Sequence, residues 1–357
     1  MNNVSGVIPQ KSTLPILESF LFDLSKDQLK ITATDLDISM SVNMRVKGMA
    51  NGKIAIPGKR LLETIRSLSN TELCIDADTG NNKILMLTEN GEYRLTGESF
   101  ENFPTFKESV KLEEIKIETE RLKRLISKTS FAVSSDELRP AMMGILIQMN
   151  KGVIRAVSTD GHRLAKIENR NIDYKIDKDI IIPVKALNLV LKSINEKESN
   201  IAFDETHTMF KMDNITLISK MIEEKYPNYE SVIPLDNDKK LVVDKNQLLS
   251  SVRRTSLYAS STTHQVRLSI RGSNLVISAE DIDFGSEAKE TIKCDYSSEP
   301  MEVGFNSLYL IDILSHIDTD EVILLFNSPT RACIVQPATQ REDENLLMLL
   351  MPVRLNV

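Results

Sequence analysis

The chain has 357 residues, of which 41% are hydrophobic and 27% are charged, and its net charge is −7. This length allows two or three globular domains, and the charge does not indicate nucleic-acid binding unless the basic residues gather on one surface. The three cysteines lack metal-ligand spacing, no apolar run approaches the ~18 residues of a membrane span, and no secretory signal is recognisable, which predicts a cytoplasmic protein without cofactor or metal.

In chain order, the first clear pattern is a strand, an aspartate-containing turn and a second strand around Leu29–Asp37. A strand at Lys53–Pro57 follows and leads into an amphipathic helix from Gly58 to Leu68. Apolar periodicity then lapses near Phe103–Lys107, which predicts a domain boundary there.

The same order of elements recurs twice. The turn aspartates are 125 and 121 residues apart, at Asp35, Asp160 and Asp281. The strand and helix recur at nearly the same spacing, at Asp179–Ile194 and at Met301–Ile317. In the third copy, the strand is expected to end at residue 304 and the helix to begin at residue 305. Because two independent features share one period, we interpret the chain as a tandem triplication, and we name its repeats the first, second and third copies.

A further strand and helix occur at Ile115–Ser130 and again at Leu241–Ser256. One period before Ser130, the matching strand and most of its helix would precede Met1, so the first copy is expected to be clipped. Either the protein does without this element, or the start lies downstream of the true one. With a second boundary near Pro234–Lys240, the predicted domains are 1–107, 108–236 and 237–357. Each is expected to be an α+β unit with antiparallel sheet on one side and helices on the other.

Basic residues cluster on four of the five predicted helices, which is a polarised distribution in an acidic protein. Lysines and arginines commonly solvate outer helix faces, but repetition in every copy favours attraction to phosphate without sequence selection. The helix residues predicted to attract phosphate, which would be DNA phosphate under the family resemblance described below, are Lys59, Arg60, Arg66, Arg121, Arg124, Lys128, Lys185, Lys192 and Arg253.

The sequence has no phosphate-binding loop or metal-binding motif, and no catalytic site emerges. Asp160 and His162 flank Gly161, and they could be taken for an acid/base pair. No histidine recurs at the matching positions, Asp37 and Asp283. We therefore predict that Asp160 caps its turn through backbone hydrogen bonds and that the protein is not an enzyme.

Several motifs together resemble the bacterial DNA polymerase III β subunit family, the sliding clamps, over essentially the whole chain from Val4. They are Thr159–Ala165, Phe103–Pro104, Tyr226–Tyr229, Gly304–Asn306 and Met351–Leu355. The resemblance implies three tandem DNA-clamp domains, with sheets outside and helices lining the interior of a ring. Two protomers would join head to tail around duplex DNA and act as a processivity factor for DNA replication. The implied partners are double-stranded DNA, a second copy of the chain, the α subunit of DNA polymerase III, the δ subunit of the clamp loader, and other polymerases, repair proteins and ligases that carry clamp-binding peptides.

The resemblance also implies a hydrophobic cleft between the second and third domains that captures a short peptide from each partner. The matching positions are Met142, Thr159, Gly161, His162, Arg163, Leu164, Pro227, Val232, Asn306, Tyr309, Leu349, Met351, Pro352, Val353 and Arg354. Ordinary core packing at a domain seam is the alternative, and it fits Leu164 and Val232 best. It fits Met351 and Val353 poorly, because chain ends usually fray.

Further positions carried over from the family are two loop residues that face DNA, Lys11 and Arg139, alongside Arg66 and Lys185. The apolar part of the protomer interface would consist of Tyr93, Leu95, Leu257 and Tyr258. The chain departs from the family in having Pro140 and Ala141 where aromatic residues are common, and in adding Asn356 and Val357 beyond the usual last leucine. The absent first strand and helix leave ring assembly open.

Three hypotheses follow. The first is a non-enzymatic clamp on DNA, and the second is an enzyme that uses the turn of Asp160 and His162. The third is a peptide-binding scaffold of the same fold that has lost DNA encirclement.

Overall fold

The computed structural model describes residues 1–106, 112–172, 174, 176–195 and 197–355. The predicted boundary at residues 107 and 108 lies outside these ranges, as do Asn356 and Val357. The chain forms two compact units. The first unit consists of Met1–Leu122 and Lys185–Met221, and the second unit consists of Lys123–Val184 and Ile222–Val357. The second copy therefore contributes elements to both units.

The helices of the described residues are α1 (Asn2–Ser5), α2 (Gly58–Ser67), α3 (Thr119–Ser127), α4 (Val184–Ser193), α5 (Lys245–Ser256) and α6 (Ser307–Ser315). The strands of the first copy are β1 (Ser19–Ser25), β2 (Gln28–Thr34), β3 (Ile38–Arg45), β4 (Gly52–Pro57), β5 (Cys74–Asp78), β6 (Lys83–Thr88) and β7 (Gly91–Thr96). Those of the second copy are β8 (Glu113–Glu118), β9 (Gly144–Asn150), β10 (Val153–Thr159), β11 (Arg163–Asn169), β12 (Asp177–Pro183), β13 (Glu198–Phe203), β14 (His207–Met212) and β15 (Ile215–Lys220). Those of the third copy are β16 (Lys239–Asp244), β17 (Gln265–Arg271), β18 (Asn274–Asp281), β19 (Ser286–Tyr296), β20 (Met301–Asn306), β21 (Glu321–Phe326), β22 (Cys333–Pro337) and β23 (Glu344–Leu350).

The order of these elements confirms the triplication. Four strands and a helix, β1–β4 with α2, recur as β9–β12 with α4 and as β17–β20 with α6. Three further strands close each copy, as β5–β7, β13–β15 and β21–β23. The strand and helix β8 and α3 recur as β16 and α5. The chain therefore has three tandem clamp-like domains built from antiparallel sheet and helices.

The first unit contains an eight-stranded antiparallel sheet in the order β4-β1-β2-β3-β15-β14-β13-β8, and a separate sheet β5-β6-β7. Strands of the first and second copies join where β3 pairs with β15, with Val42 opposite Ile215. Large apolar side chains such as Phe20, Leu61 and Phe203 are fully buried in this unit. Burial of this apolar surface is its main source of stability.

The second unit contains a twelve-stranded antiparallel sheet in the order β12-β9-β10-β11-β23-β22-β21-β16-β19-β18-β17-β20. Here the second and third copies join where β11 pairs with β23, with Leu164 opposite Leu349. Phe305 and Phe326 are fully buried. The strand that follows the aspartate turn in one copy thus pairs with the last strand of the next copy, as it does in the first unit.

The aspartate turn has the same hydrogen bonds in all three copies. Each carboxylate accepts the backbone N–H groups of the residues two and three positions later. The distances are 3.1 and 2.7 Å at Asp35, 2.9 and 2.9 Å at Asp160, and 3.1 and 3.3 Å at Asp281. The prediction that Asp160 caps its turn is confirmed. Gly161 has a φ of +89°, a left-handed conformation that glycine adopts without steric cost.

The predicted boundary between strand and helix in the third copy was wrong by two residues. Strand β20 continues to Asn306, and α6 begins at Ser307 rather than at residue 305. The cause is a local cap, because the Asn306 side chain accepts the backbone N–H of Leu308 at 2.9 Å. Among the described residues, no helix is both long and apolar enough to cross a membrane.

Candidate functional site

The buried side chain of Arg163 holds the turn between β10 and β11 in place. Its guanidinium donates to Asp160 Oδ2 at 3.1 Å, to Asp312 Oδ2 on α6 at 2.5 Å, and to the carbonyl oxygen of Phe131 at 2.7 Å. It also lies 4.6 Å from the ring centroid of Tyr309, a cation–π distance. Arg163 therefore ties the turn of the second copy to the helix of the third copy.

The exposed ring of His162 lies above this anchor and stacks on Tyr309, with 5.8 Å between centroids and 17° between planes. The carbonyl oxygen of His162 accepts the backbone N–H of Met351 at 2.9 Å, and the N–H of Val353 donates to Gly304 at 2.9 Å. These two bonds hold the C-terminal segment along the turn. Fraying, the usual behaviour of a chain end, is thereby opposed.

Apolar residues form the floor beside this segment. Leu164 and Leu349 are almost fully buried in a cluster that includes Val157 and Tyr229. Met142 is also buried, whereas Met351 is 40% exposed and Val232 is 54% exposed. The core-packing alternative thus holds for Leu164 and is wrong for Val232, because Val232 is the last residue of a short 3₁₀ turn and its side chain lies in solvent.

The other predicted cleft residues lie around the same turn and terminus in the second unit. The Thr159 hydroxyl donates to the Arg163 carbonyl at 2.7 Å and accepts the Gly161 N–H at 3.1 Å. Pro227 and Arg354 are exposed, and Asn306, Tyr309, Pro352 and Val353 are half-buried. The result is a partly apolar surface bounded by an aromatic stack and a held chain end.

The predicted DNA-facing residues divide into two groups. Exposed members are Lys11, Lys59, Arg60, Arg66, Arg139, Lys185, Lys192 and Arg253. Several of them have local partners. Lys185 is paired with Asp35, and Arg139 donates to Asp136 at 2.8 Å and to the Asp160 carbonyl at 3.4 Å. Arg121 is half-buried beside Glu118 at 3.2 Å.

Arg124 and Lys128 are the exceptions, and the prediction that they offer their charge to phosphate is wrong. Arg124 forms a two-bond pair with Glu344 at 2.5 and 2.6 Å and contacts Asp318 at 2.6 Å. Lys128 is buried and donates to Asp318 at 2.5 Å and to the His316 carbonyl at 2.7 Å. This flank of α3 packs on the third copy, so its charges are neutralised within the protein.

The protonation equilibria of this ion cluster follow from burial and hydrogen bonding. Hydrogen bonding to Glu344 raises the pKa of Arg124, so its charge is permanent. Burial lowers the pKa of Lys128 and would raise that of Asp318, but hydrogen bonds from Lys128 and Arg124 hold the pKa of Asp318 below its ordinary value. Burial also lowers the pKa of His316, which lies beside Lys128. The cluster is therefore an ion-paired seam at neutral pH.

The predicted protomer-interface residues lie on or near two strands that, among the described residues, each have an edge without a full partner strand. Tyr93 and Leu95 are half-buried on β7, which among the described strands pairs only with β6. Leu257 and Tyr258 follow α5 and are 81% and 45% exposed. The neighbouring strand β19 pairs with β18 from Ser286 to Lys293, and within the described part of the chain its other edge meets β16 at Cys294–Tyr296.

Sequence reasoning missed the acidic and aromatic partners of the basic residues, namely Asp312, Asp318, Glu344 and Phe131. One signal was present, since α6 is the helix that lacks a basic face and carries Asp312. The described residues contain no group of three or more His, Cys, Asp or Glu side chains suited to a metal ion.

Comparisons with known proteins cover nearly the whole chain. Family models of the DNA polymerase III beta subunit match in order, the N-terminal domain at residues 1–107, the central domain at 116–228 and the C-terminal domain at 230–354. The beta sliding clamp of Pseudomonas putida is 30% identical over 356 residues, covering 99% of this chain and 96% of that protein. The beta sliding clamp of Chlamydia muridarum is 29% identical over 359 residues, covering 100% of this chain and 96% of that protein.

Solved structures of DNA polymerase III beta subunits also resemble this chain in fold. The DNA polymerase III subunit beta of Pseudomonas aeruginosa superposes with a TM-score of 0.91 at 29% identity, covering 99% of this chain and 96% of that chain. A sliding clamp from the same organism, bound to griselimycin, gives a TM-score of 0.92 at 29% identity and the same coverage. The three consecutive domain matches and the threefold order of strands and helices lead to one conclusion. The chain belongs to the DNA polymerase III beta subunit family.

Proposed function

We propose that this protein is a non-enzymatic DNA sliding clamp, in which two copies close head to tail around duplex DNA and tether the replicative polymerase and other partners. The observation that carries the proposal is that, within the described part of the chain, β7 leaves one edge without a partner strand and β19 does so over Ser286–Lys293. At both seams within the chain, the strand after the aspartate turn pairs with the last strand of the next copy, as β3 with β15 and β11 with β23.

The equivalent third pair would join β19 of one protomer to β7 of another. Since β7 belongs to the first copy and β19 to the third, this contact is head to tail, and a ring results when its rotation closes. Tyr93 and Leu95 on β7, with Leu257 and Tyr258 after α5, supply apolar side chains beside that edge. The proposed domains are 1–107, 108–236 and 237–357, with the family matches ending near each boundary.

The proposed DNA-facing surface consists of exposed basic residues on helices and loops, together with the half-buried Arg121 and without Arg124 and Lys128. Its members are Lys11, Lys59, Arg60, Arg66, Arg121, Arg139, Lys185, Lys192 and Arg253. None of them belongs to a base-reading motif, and contacts to phosphate alone are independent of sequence, as sliding requires. The proposed location is the cytoplasm, where a bacterial chromosome is replicated.

The proposed peptide cleft is the surface around His162, Tyr309, Met351 and Val232. A groove that already exists costs little to order when a peptide binds, which favours measurable affinity from a short segment. The proposed partners are the α subunit of DNA polymerase III, the δ subunit of the clamp loader, and other polymerases, repair proteins and ligases that carry such peptides.

Sedimentation velocity tests the assembly. We expect a dimer at micromolar concentration, and a monomer for the double variant Leu257→Ser, Tyr258→Ser. Met49→Ser is a matched control, because Met49 is 97% exposed and lies in the connection between β3 and β4. A wild-type chain that stays monomeric at micromolar concentration would overturn the ring and favour the peptide-binding scaffold.

A further inference from the structure

A continuous row of stacked side chains runs from the end of α6 to the wall of the proposed cleft. The imidazole of His316 stacks on the ring of Phe131, with 4.1 Å between centroids and 14° between planes. The Arg163 guanidinium lies 5.3 Å from the ring centroid of Phe131 and 4.6 Å from that of Tyr309. Tyr309 in turn stacks on His162. We name these five residues the seam column, because they come from both the second and the third copies.

His316 forms the end of the seam column opposite His162, and both copies hold it. It is the C-cap residue of α6, and its Nδ1 atom lies 2.7 Å from the carbonyl oxygen of Asp312. Because a carbonyl oxygen only accepts hydrogen bonds, Nδ1 carries the hydrogen and donates it. The His316 carbonyl oxygen accepts Lys128 Nζ at 2.7 Å. The end of α6 therefore sets the plane of the imidazole, whose flat face lies against Phe131.

Phe131 transmits this constraint to Arg163. Its ring contacts both His316 and the Arg163 guanidinium, and its carbonyl oxygen accepts Arg163 Nη2 at 2.7 Å. Asp312 links the same two residues, because its carbonyl oxygen accepts His316 and its carboxylate accepts Arg163. A long arginine side chain has many rotamers in solvent, and contacts on several sides remove that freedom. Arg163 can then hold Tyr309, which forms a wall of the proposed cleft.

The seam between the first and second copies has the same order of elements and lacks this column. Phe131 corresponds to Gly6, 125 positions earlier, where an added Cβ would lie only 2.6 Å from Leu189 Cδ2. Counted from the first residues of α4 and α6, Leu189 is the counterpart of Asp312. The other counterparts are Ser193 for His316, Ile38 for Arg163, Ala186 for Tyr309 and Asp37 for His162. Because two copies can join without the column, its presence beside the cleft indicates a role in peptide binding.

We propose that His316 is a positioning residue for the peptide cleft, which acts through the seam column to keep Tyr309 and His162 in the arrangement that receives a peptide. The inference rests on the proposed clamp function and adds a residue outside the positions that the family resemblance implies. A groove whose walls are already ordered loses little conformational entropy when a peptide binds. Loosening one end of the column raises this entropic loss without removing any contact to the peptide.

The test is the affinity of a labelled clamp-binding peptide from the polymerase α subunit, measured by fluorescence anisotropy. We expect His316→Ala to weaken binding about two- to fivefold, because the loss of an aromatic pair reaches the cleft only indirectly. His316→Phe, which keeps a flat ring against Phe131, should recover most of the affinity. His207→Ala is the matched control and should bind as the wild type does, because His207 also contacts a phenylalanine ring, that of Phe106 at 5.7 Å, but lies on β14 in the first unit. Urea denaturation of each variant measures stability separately from affinity.

Two further measurements show whether His316 acts through the column. Adding His316→Ala to Tyr309→Ala should weaken binding by less than about twofold more, because the wall that His316 supports is already absent. The NMR signal of the His162 ring depends on the ring current of Tyr309. We expect this signal to shift in the free His316→Ala protein and to stay in place in His207→Ala.

The outcomes separate the positioning role from the proposed function. Wild-type affinity in a folded His316→Ala protein, additive losses in the double variant or an unmoved His162 signal would overturn the positioning role and leave the cleft standing. A loss that His316→Phe does not recover would overturn the stack on Phe131 as its means. A wild-type protein that binds no clamp-binding peptide would overturn both the cleft and the positioning role.

Discussion

His162 and Tyr309 stack at 5.8 Å between ring centroids, although they are 147 positions apart in the chain. The stack joins the turn of the second copy to α6 of the third, directly above the ion pair of Arg163 with Asp312. The same side chains therefore join the second copy to the third and form a wall of the proposed cleft.

Replacing Tyr309 by alanine should weaken the binding of a clamp-binding peptide. An aromatic pair contributes about 0.5–1.5 kcal/mol beyond its buried area, so we expect the peptide affinity to fall roughly two- to tenfold. The measurement is fluorescence anisotropy with a labelled peptide from the polymerase α subunit. The control is Tyr258→Ala, which should change dimerisation and leave peptide affinity unaltered. Equal affinities in wild type and Tyr309→Ala would remove Tyr309 from the cleft.

Substituting Gly161 by leucine should block the cleft while keeping the fold. Leu36 occupies the equivalent position in the first copy with a φ of 80°, so a leucine can adopt this left-handed turn. A Cβ on Gly161 would lie 3.3 Å from Arg139 Nη1 and 3.9 Å from Met142 Cε, directed toward the proposed cleft. We expect peptide binding to fall at least tenfold, with strain of roughly 1–2 kcal/mol.

Leu36→Gly is the matched control. It makes the reverse exchange at the same left-handed position, in the turn of the first copy, where no cleft is proposed. Its peptide affinity should equal that of the wild type. Unimpaired binding by a folded Gly161→Leu protein would show that the peptide does not pass over this turn.

Replacing Arg124 by methionine should destabilise the second unit. Removing one partner of a buried ion pair costs ~3–5 kcal/mol, and we expect the lower end because Asp318 is partly exposed. Urea denaturation would measure the change. Arg331→Met, which breaks an exposed pair with Asp236, should cost below ~1 kcal/mol. If both variants lost the same stability, the ion cluster would have no special role.

Stability should fall in acid partly through Glu290. Hydrogen bonds from Arg254 and Ser251 lower the pKa of Glu290 from 4.5 to about 2. A carboxyl group with a lowered folded-state pKa stabilises the fold fully above its unfolded value, and this contribution is lost as pH falls through the folded value. The relevant window is therefore pH 4.5 down to about 2.

Glu290→Gln should flatten the dependence of unfolding free energy on pH within this window, and Arg254→Met should shift the titration of Glu290 back toward 4.5. Carboxylate NMR would follow the group directly. An unchanged slope in Glu290→Gln would mean that other carboxyl groups account for the acid response.

The turns were predictable because they depend on local contacts, and the threefold repeat was predictable because these local patterns recur at one spacing. Asp160 caps N–H groups two and three residues ahead, and this pattern can be recognised in any one copy. The positive φ at Gly161 follows equally from a short turn. Such features require only the sequence within a few residues.

The fate of the basic flank of α3 was not predictable in this way. Arg124 and Lys128 have the pattern of a solvated helix face, and their partners Asp318 and Glu344 are about 190 to 220 residues away. Periodicity identifies the apolar face of a helix, but it does not reveal which polar flank packs on another domain.

Retention on DNA after loading by the clamp loader tests the ring most directly. We predict that the protein stays on nicked circular duplex through gel filtration in high salt, because a closed ring cannot dissociate sideways, and that cutting the circle with a restriction enzyme releases it. Equal retention on circular and linear DNA, or loss from both as salt rises, would mean that charge attraction alone holds the protein and would contradict encirclement.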